Sequence, residues 1–72
     1  MGDFVIEPAV PPEEFLHLAI ANPELYAVFR YGDDTYEVRS AWRNYFYEPG
    51  DLQFAVFLTQ WKGRIERGYN QL

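Results

Sequence analysis

Few side chains in this sequence have the type and spacing that suit a reacting centre, and those few do not converge. His17 is the single histidine. On a helix it stands one turn after Glu13, whose carboxylate favours the protonated imidazole. A serine nucleophile would have to be Ser40 with His17 as its base, and no spacing relation links the two. The absence of Cys excludes disulfides, thiolate metal sites and cysteine nucleophiles. A metal would find only carboxylates beside that one imidazole. No catalytic residue, metal site or cofactor is assigned, and the chain is expected not to be an enzyme. The sequence instead concentrates residues suited to binding. Arg39, Trp42, Arg43, Tyr45 and Tyr47 crowd into nine positions, and Tyr, Trp and Arg are the types enriched at binding hot spots. Asp33 and Asp34, at the tip of an expected hairpin, are the acids best placed to meet a basic pocket. These residues together form the expected partner-binding set.

Tyr31-Gly32-Asp33-Asp34 matches the Y-G-D-D tetrapeptide of viral RNA-dependent RNA polymerases. In that family a hairpin turn presents the aspartates to Mg²⁺, and the expected local setting here is similar. The resemblance covers four of 72 residues. Phosphoryl transfer needs a further carboxylate, a nucleotide site and a template channel, which a chain of this length does not build. Gly and Asp are also ordinary turn residues, and the tetrapeptide is read as a turn.

A 72-residue chain is one domain, spanning 1–72, and chains this short bury only about 60% of their unfolded surface. Six Phe, six Tyr and two Trp, each able to bury on the order of 150–250 Å², exceed what one small core takes. Phe4, Phe15, Phe29, Phe46, Phe54, Phe57 and Trp61 are expected to fill it. Tyr26, Tyr31, Trp42, Tyr45, Tyr47 and Tyr69 are then left towards the surface, which points to a protein partner.

Charge is lopsided. Residues 1–51 carry ten carboxylates against three arginines, a net of −7; residues 52–72 carry Lys62, Arg64 and Arg67 against Glu66, a net of +2. The overall −5 repels nucleic acid at long range and suits a basic protein surface, including one that normally holds nucleic acid. No apolar run approaches the roughly 18 residues of a membrane span. Phe4-Val5-Ile6 is too short for a signal-peptide core, and Gly2 lacks the Ser or Thr that myristoylation needs where Ile6 stands. No membrane partner is expected, and the Cys-free composition favours the reducing cytoplasm.

The elements that must position these side chains follow from periodicity and breakers. Asp3–Glu7 reads as a short strand ended by Pro8. Pro11 and Pro12 open a helix whose first turn carries Glu13 and Glu14 and whose wide apolar face holds Phe15, Leu16, Leu18, Ala19 and Ile20. Asn22-Pro23 stops it. Leu25–Arg39 reads as a hairpin turning at Gly32-Asp33-Asp34. A two-residue Gly-Asp loop sets Phe29 opposite Tyr36 and Ala27 opposite Val38, leaving Tyr26, Val28, Arg30, Glu37 and Arg39 on the other face. A three-residue loop reverses the parity and puts Val28 beside Val38; the first register is preferred because it segregates charge better. Ser40–Glu48 is read as an irregular turn or a short helix capped by Ser40, with Trp42, Tyr45 and Phe46 at i, i+3 and i+4, although Tyr36, Val38, Ser40 and Trp42 also suit one strand face. Pro49-Gly50 forms a turn. Asp51 then caps a helix through Tyr69, with Phe54, Phe57, Leu58, Trp61, Ile65 and Tyr69 on one arc. Gly63 and Gly68 each cost that helix about 1 kcal/mol relative to Ala. Leu52, Phe54, Val56 and Leu58 also alternate as a strand would.

The expected architecture is α+β: about three strands in a sheet with two main helices packed on one face, in the order β-α-β-β-short α-α. The expected function is a small acidic protein-interaction module, a regulator or inhibitor bound to a larger protein complex that handles transcription or nucleic acid. Small acidic Cys-free chains of this size occur among phage-encoded inhibitors, an analogy of type rather than of motif. The competing expectation is a nucleic-acid-associated protein using Lys62, Arg64 and Arg67 on the back of the last helix.

Overall fold

In the computed structural model, which describes residues 13–69, the chain opens with α1 (Glu13–Ala21). Glu13 and Glu14 lie in its first turn, at the positive end of the helix dipole. Phe15, Leu16 and Ala19 form its buried face. Asn22 closes it, its backbone N–H and side-chain Nδ2 both donating to the Leu18 carbonyl at 2.9 and 3.1 Å. Pro23 begins a single 3-10 turn, Pro23–Leu25, that leads into the sheet. The strand expected at Asp3–Glu7 lies outside the described residues.

Three antiparallel neighbours follow: β1 (Ala27–Arg30), β2 (Tyr36–Arg39) and β3 (Asn44–Tyr47). Pro49-Gly50 makes the expected turn. Gly50 adopts φ 96° and Asp51 N–H donates to the Glu48 carbonyl at 3.2 Å, the arrangement that favours Pro then Gly in the middle of a turn. Asp51 caps α2 (Leu52–Gln60), its carboxylate accepting from Phe54 N–H at 3.0 Å. The chain then returns as β4 (Ile65–Arg67), parallel to β1. The sheet order is β3-β2-β1-β4. Among the described residues two helices on a four-stranded mixed sheet make an α+β fold, the expected class.

Both helices cover one face of the sheet. Val28, Val38, Tyr45 and Tyr47 meet Phe15, Leu16 and Ala19 of α1 and Phe54 and Phe57 of α2 in one core. The core is largely a chain of rings. Phe15 meets Tyr45 edge-on at 4.7 Å, Phe54 stacks on Tyr47 at 4.6 Å and on Phe57 at 5.2 Å, and Phe57 reaches Trp61 at 5.5 Å.

Three local expectations are corrected. First, Val28 pairs with Val38 and Phe29 with Glu37, the register of the three-residue loop. Tyr31 N–H donates to the Thr35 carbonyl, Asp34 N–H donates to the Tyr31 carbonyl, and Asp34 takes φ 66°. This is a type I turn followed by a left-handed residue, with Asp where Gly is commoner. The one-residue slip moves Val28 into the core and Phe29 to the outer face. Second, Asn44–Tyr47 is a strand, not a short helix. Its alternation buries Tyr45 and Tyr47 and leaves Phe46 more than half exposed, so two tyrosines occupy core positions expected for Phe29 and Phe46. Third, the last helix ends at Gln60. Trp61 turns to an extended conformation and its indole Nε1 donates to the Arg64 carbonyl at 3.0 Å. A Cβ on Gly63 would collide with that indole ring, and one on Gly68 with the Tyr31 ring. The two glycines thus mark places where rings lie against the backbone. Lys62, Arg64 and Arg67 consequently lie on a connection and an edge strand, and the basic helix back expected for them is not formed.

Candidate functional site

The chemically suggestive residues are kept apart. His17 Nε2 lies 3.6 Å from Glu13 Oε2, with both side chains largely in solvent. His17 lines a groove between α1 and α2, whereas Ser40 lines a different one. Ser40 Oγ is engaged in its own turn, accepting from Trp42 N–H at 3.3 Å and Arg43 N–H at 3.1 Å and lying 3.1 Å from the Arg43 carbonyl. Among the described residues no group of three or more His, Asp or Glu is placed to hold a metal ion.

The seven expected partner-binding residues divide among four places. Asp33 and Asp34 form the β1–β2 turn. Asp33 Oδ1 accepts from Thr35 N–H at 3.0 Å, which holds its carboxyl below the ordinary value. Asp34 pairs with Arg30 at 2.7 Å, and that contact raises the Arg30 pKa. Trp42 and Arg43 form the β2–β3 turn, at the opposite end of these antiparallel strands. Tyr45 and Tyr47 are interior, only 5% and 3% exposed. Arg43 Nη1 donates to the Tyr45 hydroxyl at 3.1 Å, so Arg43 joins the turn to the core. The Tyr47 hydroxyl is buried with no hydrogen-bond partner among the described residues, and burial pushes its pKa well up.

Arg39 belongs to the outer face of the sheet, which no helix covers among the described residues. There Glu37 is 2% exposed. Its carboxylate accepts from the Tyr31 hydroxyl at 2.6 Å, Asn44 Nδ2 at 2.6 Å and Arg39 Nη2 at 3.1 Å. Burial is the largest single influence and pushes its pKa up; the hydrogen bonds from Arg39, Tyr31 and Asn44 outweigh it and hold the group below its ordinary value. The Arg39 guanidinium also lies 4.4 Å from the Phe29 ring centre. This node ties β1, β2 and β3 together from outside, and nothing in the sequence marks Glu37 as other than a solvated strand residue.

Trp42 is the large side chain that the β2–β3 turn leaves in solvent, at 72% exposure. Beside it runs a groove of about 430 Å³ lined by Phe15, Leu18 and Tyr26 as well as Trp42, with Glu14 and Arg43 at its charged positions. Leu18 is 49% exposed. Leu18 and Tyr26 were not among the expected binding residues. The signal that could have found Leu18 is the width of the apolar face of α1, broader than one core contact requires. None of the described helices is long and apolar enough to cross a membrane. The chain matches no protein-family model, and neither a curated protein nor a solved structure matches it.

Proposed function

We propose that this protein is a small acidic interaction module that docks on a larger protein through Trp42 and the groove beside it. The carrying observation is the exposure of the Trp42 ring on a turn whose backbone is held by Ser40. A large amphipathic ring on a backbone that is already hydrogen-bonded has only two side-chain torsions left to order on binding, which is why such side chains serve as anchors. Leu18 and Tyr26 supply an apolar floor next to it, and Arg43 and Glu14 supply polar positions that can fix register. The net charge of −5 suits a basic partner surface. A regulator or inhibitor of a nucleic-acid-handling complex, the role read from size and acidity, has such a surface to bind.

The test is retention from an extract of the native cells by the immobilised full chain, with mass spectrometry identifying what is held. The reading expects one defined protein or complex, held by the wild type and lost with Trp42→Ala while the circular dichroism spectrum is unchanged. Trp42→Ala is a cleaner probe than Arg43→Glu, because Arg43 also contacts Tyr45. Equal retention by both proteins would remove Trp42 from the account.

A further inference from the structure

We propose that the edge of β4 left without a neighbour among the described residues takes up an acidic, extended segment of a partner protein as a fifth strand of the sheet. β4 is the last strand in the order β3-β2-β1-β4, so among the described residues it has a neighbour on one side only. Gly68 N–H donates to the Arg30 carbonyl at 2.8 Å. In a parallel ladder alternate residues bond to alternate sides, so Ile65 and Arg67 turn their N–H and C=O groups away from β1. An incoming strand meets those groups, the mode of recognition in which the backbone gives affinity and side chains give selectivity.

Charge selects the occupant. Arg30 and Arg39 are ion-paired, whereas none of the ion pairs among the described residues involves Lys62, Arg64 or Arg67. These three cations flank or occupy the edge, with Glu66 as the one acid of the strand. Ile65 and Tyr69 are exposed beside them and offer apolar contact. A depression of about 640 Å³ adjoins the strand, lined in part by Arg30, Tyr31, Tyr36 and Arg67. A second copy of this chain would bring the same cations face to face, which is unfavourable across a strand pair. Short, charged strands resist unwanted pairing in general; here the sign of the charge turns that protection into selectivity, admitting acidic segments and repelling basic ones.

Nitrogen-15-labelled full chain is titrated with a short peptide of alternating glutamate and valine, and separately with its lysine counterpart. The proposal expects the glutamate peptide to move the amide signals of Ile65 to Gly68, with affinity at least about tenfold above that of the lysine peptide and falling as salt rises. The double change Arg64→Glu with Arg67→Glu abolishes that preference. Ile65→Pro, which removes one outward N–H, weakens binding while the β1–β2 amide signals keep their positions. Equal binding of the two peptides, or no shift at β4 with the glutamate peptide, overturns it. So does a single-stranded oligonucleotide that moves the β4 signals when the glutamate peptide does not.

Discussion

The two turns at opposite ends of β2 are built alike and present opposite surfaces. Each is held by a short polar side chain that accepts from the backbone: Asp33 from Thr35 N–H, and Ser40 from Trp42 N–H and Arg43 N–H. In the β1–β2 turn the remaining acid, Asp34, is satisfied by Arg30. Its polar groups already have partners within the chain. In the β2–β3 turn the fixed backbone displays Trp42, whose ring lies mostly in solvent. Similar backbone hydrogen bonding with unequal side-chain satisfaction is the reason the proposed docking site is placed at the second turn. In the first turn Asp33 and Asp34, both expected to bind a partner, have their carboxylates engaged locally.

Both turns spring from β2, so the largest expected effect comes from loosening that strand. Glu37→Ala removes the acceptor shared by Tyr31, Asn44 and Arg39 and is expected to destabilise the protein by about 3 kcal/mol in urea unfolding. The milder Glu37→Gln carries a pH signature. The Glu37 pKa is depressed below its ordinary value of 4.5, so the stability it contributes is fully present above about pH 4.5 and fades as pH falls through the lower folded value. Wild type and Glu37→Gln should therefore differ at neutral pH and converge in acid.

The next effect separates the turns. Trp42→Ala should weaken partner binding by about 2 kcal/mol, roughly thirtyfold, with unfolding free energy unchanged within about 0.5 kcal/mol. Asp33→Ala and Asp34→Ala should leave affinity within about threefold, as rim charges do. Titration calorimetry with the retained partner checks both. Ser40→Ala comes third: loss of its turn bonds costs about 1 kcal/mol of stability, and affinity falls because Trp42 is less well held. The smallest effect is expected for Asp34→Gly. Glycine suits φ 66° better than aspartate, and the exposed pair with Arg30 is lost, so the opposed changes nearly cancel in thermal unfolding.

The difference between the turns was only half legible in the sequence. The Gly32-Asp33-Asp34 turn is written in residue type, but its consequences depend on register; Ser40, expected to cap a short helix, instead holds a turn. Gly at the first turn position favours a two-residue loop; the chain instead places Asp34 in the left-handed region, and that one choice inverts which side of β1 faces the helices. Tyr45 and Tyr47 then belong to the core because their strand alternates, a pattern that Trp42, Tyr45 and Phe46 at helical spacing obscured. Trp61, Ile65 and Tyr69 continued the stripe of α2 by spacing alone. Only the folded chain shows the helix ending at Gln60 and the Trp61 indole lying against Gly63. The Asp51 cap was readable because it rests on local chemistry, and the α+β class followed from the order of elements. The Glu37 node was not, because it forms only when three strands bring its donors together.

The most direct measurement places a photo-crosslinking side chain at position 42 and, in a separate variant, at position 33, and irradiates each in native cells. The account predicts a single strong adduct from position 42 and none of comparable yield from position 33. Adducts of equal yield from both turns, or from position 33 alone, would contradict it.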